Sequence, residues 1–123
     1  MAKPETKFWH EIKQFMPEIS FTRIENLSSL GTPDLLCYNK NQHFFTLELK
    51  ITRTNSVKLS PHQISFHVRH PKNTFILVKH LASSCSKLYE GSSVLQLVAC
   101  GLKLEPLCDG LEACRLKLET LGA

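Results

Sequence analysis

Apolar residues in this chain follow two rhythms. Between Glu5 and Met16 they fall at helical spacing, with Phe8, Ile12, Phe15 and Met16 on one stripe and Trp9 beside it, and Pro17 closes the segment. Ile19 to Glu25, Asp34 to Tyr38, Phe44 to Ile51 and Thr74 to His80 instead have the length and the β-branched and aromatic content of strands. Asn39-Lys40-Asn41-Gln42 supplies turn chemistry between the second and third of these and predicts a hairpin. Ser60 and Pro61 start a helix that runs to Arg69, with Ser60 as its cap. Phe75-Ile76-Leu77-Val78 is an unbroken apolar run, so the strand after that helix is placed as a crossover strand beside the hairpin. Val94 to Cys100 stays open between a short helix and a strand. Leu107, Leu111, Cys114, Leu118 and Leu121 repeat at three and four and predict a C-terminal amphipathic helix, whose stripe serves either as core or as an interface.

Strand periodicity sorts the hairpin into two faces. Leu47, Leu49, Leu35, Cys37 and Phe45 share one, while Glu48, Lys50, Leu36, Tyr38 and Phe44 share the other. Both faces are largely apolar, which predicts a central hairpin covered by helices. Gly31 and Pro33 sharpen the approach to the first strand and put Asp34 near its start, at the rim of the sheet.

The polar exceptions on these strands are Asp34, Glu48 and Lys50. A carboxylate in a half-buried strand costs several kcal/mol, roughly, unless something pairs with it. If the hairpin closes around Asn41, Asp34 faces Glu48 across the pair, roughly 5 Å away, where like charges repel. That separation suits two oxygen ligands sharing one hard cation. The alternative is a structural salt-bridge set in which lysines bridge the acidic pair.

Pro33-Asp34 followed by Glu48-Leu49-Lys50 resembles the PD-(D/E)xK nuclease superfamily. Leu59-Ser60-Pro61-His62-Gln63 looks like the segment that follows in its VRR-NUC and archaeal Holliday-junction-resolvase-like branch, and the resemblance spans about Glu11 to Lys79. It implies an α/β fold with a central mixed β-sheet flanked by α-helices, a restriction-endonuclease-like core, and cleavage of DNA phosphodiesters with Mg²⁺ or Mn²⁺. Asp34 and Glu48 would hold the cation, and the resemblance adds the backbone carbonyl of Leu49. Lys50 would sit beside the attacking water or the phosphate, offsetting charge as it builds. Gln63 matches the position that orients the water or the lysine; without the resemblance it reads as an exposed amide. Glu11 matches a glutamate that the family often places on the first helix near the metal. It reads equally as a solvent-facing residue paired with Lys7 or Gln14.

Charge sharpens this picture. The chain carries a formal net charge of only +4. Between Leu49 and Tyr89 there is no acidic residue, while Lys50, Arg53, Lys58, Arg69, Lys72, Lys79 and Lys87 fall there with His62, His67, His70 and His80. Such a stretch reads as a phosphate-tracking surface or as a solvated basic face. Arg53 and Lys58 flank the loop before the Gln63 helix and are the first DNA contacts expected, then His62, with Arg69 and Lys72 further along. The histidines and cysteines lack zinc spacing, and the cysteines are odd in number and scattered: Cys37, Cys85, Cys100, Cys108 and Cys114 read as reduced thiols filling small core positions. With 123 residues and 42 % of them apolar, one domain over residues 1–123 with a real core is expected. No signal-peptide run or transmembrane stretch is seen, so a soluble cytoplasmic or, in a eukaryote, nuclear protein is expected.

Three functions fit. A metal-dependent, structure-selective DNA endonuclease leads, possible partners being branched DNA and a second copy of the chain, since resolving a junction takes two incisions. A non-catalytic nucleic-acid-binding module of the same fold is the alternative. The third is an interaction protein that docks a partner on Leu107 to Leu121.

Overall fold

In the computed structural model, which describes residues 3–24 and 31–123, a six-stranded mixed sheet runs in the order β1-β2-β3-β4-β5-β6. Its strands are β1 (Ser20–Arg23), β2 (Leu35–Tyr38), β3 (Phe44–Thr52), β4 (Thr74–His80), β5 (Cys85–Glu90) and β6 (Cys108–Asp109), and its helices are α1 (Pro4–Phe15), α2 (Pro61–Arg69), α3 (Val94–Cys100) and α4 (Leu111–Glu119). Glu25, the expected end of the first strand, lies outside the described residues. All pairs are antiparallel except β3 with β4, which α2 connects as a crossover. Leu35 pairs with Leu47 and Tyr38 with Phe44, so the hairpin closes at the turn expected from Asn39 to Gln42. Val94 to Cys100 resolves as helix. β5 and β6 were not expected from the sequence.

Two cores sandwich the sheet. On one face α1 and α4 bury Phe8, Ile12, Cys114 and Leu118 against Leu35, Cys37, Phe45, Leu47, Leu49 and Leu77. On the other, Val57, Val94, Leu97 and Leu102, with Ile64 of α2 partly buried, cover Ile76, Val78 and Tyr89. Each fully buried large apolar side chain contributes about 1.5–3 kcal/mol, so these layers fix where β3 lies.

Several expectations are corrected here. The hairpin is covered on only one face: α2 is nine residues long and sits over β3 and β4, leaving Leu36 at 37 % and Phe44 at 59 % exposed. Tyr38 stacks on Phe44 on that open side, 4.4 Å between ring centroids. Phe15 turns outward from the α1 stripe. Cys114 and Leu118 are consumed by the core, so the helix after Leu107 has no continuous apolar stripe left to dock a partner. All five cysteines are free; Cys37 and Cys114 are buried as expected, but Cys85 and Cys100 are exposed. Among the described residues, no helix is long and apolar enough to cross a membrane.

Candidate active site

Thr46, Glu48, Lys50 and Thr52 alternate with Leu47, Leu49 and Ile51 along β3, so the strand that is apolar toward α1 is polar toward α2. Glu48 is buried to 2 % exposure in mid-sheet. Continuing the β2–β3 register one step past Leu35 and Leu47 sets Asp34 opposite Glu48, as the hairpin geometry requires. Asp34 lies just before β2 and is exposed at the sheet rim. Its Oδ2 accepts the Leu49 N–H at 2.8 Å. The ladder partner there would be Pro33, which has no N–H and cannot continue the backbone pairing, so the carboxylate takes over where β2 stops. The Leu49 carbonyl points to the same side of the strand as its N–H, toward Asp34.

The two carboxyls are strongly coupled. Burial pushes the Glu48 carboxyl up to about 9, and the charge and hydrogen-bonding closeness of Asp34 push in the same direction; Lys50 pulls it down and Glu5 adds a smaller upward push. Glu48 Oε1 is buried with no partner, and Oε2 receives only a long contact, 3.4 Å, from Gln63 Nε2. An orphaned carboxylate oxygen beside a second carboxylate is a poor structural arrangement and a good half-shell for a hard divalent cation such as Mg²⁺, which keeps several waters of its own. Asp34, Glu48 and the Leu49 carbonyl fit that cation. No group of three or more His, Cys, Asp or Glu capable of holding a metal occurs among the described residues.

Lys50 and Gln63 are locked together by the start of α2. Lys50 Nζ donates to Gln63 Oε1 at 3.0 Å, and the Ser60 N–H donates to that same oxygen at 2.9 Å. Ser60 Oγ in turn accepts the Gln63 N–H at 3.2 Å, which makes a reciprocal capping box. The helix cap therefore decides which way the amide points: its oxygen holds the lysine and its NH₂ faces Glu48. One turn further along, His67 is fully buried, its Nδ1 3.3 Å from Thr74 Oγ1, and burial, His70 and Lys50 depress its imidazole to about 4.

Glu11 is not brought to this cluster. Its Oε1 pairs with Lys79 Nζ at 3.0 Å, and it lines an open cleft with Lys7, His10 and Leu111. Glu5, from the first turn of α1, lies nearer to Asp34. It lines a recess of about 130 Å³ with Asp34, Leu35, Leu49 and Arg23. The physical reason is topological: α1 covers the face opposite Glu48, so only its N-terminal end can look around the sheet rim. Glu11 lies six residues further on, about 9 Å along the helix. The sequence signal available was an acid in the first turn behind Pro4.

The basic residues divide in two. Arg53, Lys58, Thr54 and Ser56 line a cleft of about 400 Å³ together with Lys50 and Glu5. His62 is exposed in the first turn of α2, where Gly31 packs so closely on its carbonyl that a Cβ would collide. Arg69 closes the other end of that helix, about 12 Å from its first residue, and Lys72 follows it. Arg69 Nε donates to the Ser65 carbonyl, and Lys72 pairs with Glu90. With Lys79 paired to Glu11 and His67 in the core, the acid-free stretch of sequence does not form one continuous basic surface.

Comparison with known proteins places the fold. The 1.6 Å structure of Archaeoglobus fulgidus Hjc, a Holliday junction resolvase from an archaeal hyperthermophile, matches 71 % of this chain and 77 % of its own with a TM-score of 0.56 at 14 % sequence identity. The chain thus has the fold of that nuclease, a mixed sheet flanked by helices. No protein-family model and no curated protein matches the sequence.

Proposed function

We propose that this chain is a metal-dependent DNA endonuclease that hydrolyses phosphodiester bonds at the Asp34–Glu48–Lys50 cluster, with branched DNA such as a Holliday junction as its preferred substrate. The single observation that carries the reading is the buried Glu48 carboxyl with an unpartnered oxygen, held against Asp34 at the end of a strand pair. The resolvase fold supports it. The VRR-NUC side of the resemblance rests on Leu59 to Gln63 alone.

Asp34, Glu48 and the Leu49 carbonyl would hold Mg²⁺ or Mn²⁺. Such an ion, when bound, supplies polarisation of the scissile phosphate and a water made acidic enough to attack near neutral pH. The protein's own contribution lies around it. Lys50 carries a compact positive charge to the phosphate, stabilising the negative charge that grows in the transition state. Gln63 holds Lys50 in place through its carbonyl and keeps its NH₂ on Glu48, so that lysine and carboxylate stay apart until substrate arrives. Glu5 stands at the recess as a further acidic group able to hold water. Arg53, Lys58 and His62 track the backbone, and Arg69 and Lys72 would reach only a longer duplex arm.

Two incisions across a junction require two such sites. A second copy would sit on the open sheet face of Leu36, Tyr38 and Phe44, where exposed apolar side chains continue from the site toward the hairpin turn. Sedimentation should show a homodimer that Phe44→Glu dissociates; a monomeric wild type refutes this part.

The test of the activity is cleavage of a labelled panel (four-way junction, flap, nicked duplex, linear duplex, single strand) with Mg²⁺, Mn²⁺ or EDTA, wild type beside Glu48→Ala. Metal-dependent cutting lost in the variant is expected. Salt-sensitive binding without any cutting would move the assignment to the non-catalytic module.

A further inference from the structure

The loop between β3 and α2 is held from two sides. Inside it, Thr52 Oγ1 donates to the Ser56 carbonyl at 2.7 Å and accepts the Thr54 N–H at 3.2 Å, while Thr54 Oγ1 accepts the Ser56 N–H at 3.2 Å. Behind it, Val57 is buried in the α3 core, and the Asn55 carbonyl accepts the Leu102 N–H at 2.8 Å. That last bond depends on Gly101. Gly101 sits at φ +64°, and a Cβ there would collide with the Asn55 carbonyl oxygen. Glycine is the residue that provides both the left-handed backbone and the close approach.

What this bracing presents is charge without a partner. Arg115, Lys72 and Lys79 are each engaged with a glutamate. Arg53 and Lys58 make no ion pair among the described residues, although they share a cleft with Lys50 and Glu5. A braced, hydroxyl-rich loop whose two cations without an ion pair line one cleft with Lys50 matches a phosphodiester backbone, not a small apolar ligand.

We propose that Gly101 is a positioning residue for nucleic-acid binding: by seating Asn55 it keeps Arg53 and Lys58 in a preformed cradle for the backbone phosphate next to the scissile one. The proposal rests on the nuclease reading for what is scissile; the cradle itself needs only a polyanion.

Binding of a fluorescent four-way junction and a linear duplex is measured in EDTA, across a salt series, with circular dichroism of every variant. Arg53→Ala with Lys58→Ala should weaken binding about tenfold or more and lower the salt slope by about two. Gly101→Ala removes no charge, yet it should weaken binding about tenfold as well. Adding it to the double variant should cost little more, since all three act through one cradle. Thr52→Val, which loosens the loop without touching the turn after α3, should give a several-fold loss even if Gly101→Ala folds poorly. Wild-type affinity and salt slope in both Gly101→Ala and Thr52→Val would overturn the proposal, as would full additivity. Because no metal is present, these outcomes are independent of cleavage. A cradle that responds as described in a chain that never cuts with Mn²⁺ would refute the nuclease reading and leave this one standing.

Discussion

Glu48 and Glu119 are both buried carboxylates with an oxygen that has no hydrogen-bond partner, at 2 % and 5 % exposure, yet they sit in opposite surroundings. Glu119, at the end of α4, receives the Arg115 guanidinium at 3.0 Å, and Arg115 also holds Glu112 and lies over the Phe15 ring. Its charge is answered by the chain itself. Glu48 is set against Asp34, another carboxylate, and the nearest cation, Lys50, is turned aside onto Gln63. The folded chain therefore answers Glu48's charge only in part, through Lys50, and favours the protonated carboxyl. Burial alone does not separate a structural acid from a site acid; the sign of the neighbour does.

The largest expected difference between them is catalytic. Glu48→Ala should lower cleavage at least about a thousandfold, near 4 kcal/mol of transition-state stabilisation, with DNA binding largely kept. Glu119→Gln should cut within about twofold of wild type, as expected of a group that touches no substrate. Equal losses in a gel-based cleavage assay would erase the contrast.

Next comes metal binding read through stability. Mn²⁺ at about a hundred times its dissociation constant should stabilise the protein by about 2.7 kcal/mol, visible as a rise in Tm. The rise should vanish in Asp34→Asn and Glu48→Gln and persist in Glu119→Gln. A rise that survives in Glu48→Gln would put the cation elsewhere.

Much of this contrast was legible in the sequence, and the boundary is physical. Hairpin register follows from turn position and a period of two, so a turn at Asn41 was enough to bring Asp34 and Glu48 together and to put Lys50 on the Glu48 face. The Ser60-Pro61 start fixed the rotation of α2, hence Gln63. Periodicity says which residues share a face, but not how far a short helix extends over it, so the exposure of Leu36 and Phe44 was hidden. The same gap chose Glu11 over Glu5, because which end of α1 reaches the rim depends on its crossing over the sheet. β5 escaped notice because Cys-Ser-Lys-Leu-Tyr-Glu has only Leu88 and Tyr89 as large apolar residues and is entered through Ser84 at φ +55°, with no glycine to mark the turn. The role of Gly101 needed the fold entirely, since Asn55 lies far from it in sequence.

Removing the cation partner distinguishes the two acids by stability alone. Arg115→Ala strands Glu119 in a buried position and should lower the midpoint of denaturant unfolding, by less than breaking a fully buried pair would because the Arg115 side chain is 25 % exposed. Its counterpart on the other acid, Lys50→Met, should cost less, since Lys50 bonds Gln63 and not Glu48. If Lys50→Met proves the more damaging of the two, Lys50 is acting as the structural counter-ion to the acidic pair, and the salt-bridge reading of the site gains.

The smallest effect is also the most discriminating, because its sign changes between the two residues. The Glu48 carboxyl holds its proton up to about 9 in the folded protein, against 4.5 for an ordinary glutamate. In that window the folded chain binds more protons than the unfolded one, so the contribution of Glu48 to stability is complete below 4.5 and is lost as pH rises through 9. Metal-free protein should accordingly lose about 1–2 kcal/mol from this group between mildly acidic and mildly alkaline pH, a fraction of the full linkage slope once water and side-chain relaxation are allowed for. Glu48→Gln keeps the shape and removes both the proton requirement and the repulsion from Asp34. It should therefore match wild type at pH 5 and exceed it at pH 8 in urea unfolding with EDTA present. Glu119→Gln, losing its bond to Arg115, should fall slightly below wild type at pH 8. A metal-free Glu48→Gln protein less stable than wild type at pH 8 would mean that Glu48 is satisfied within the fold, and the argument that it waits for a cation would fail with it.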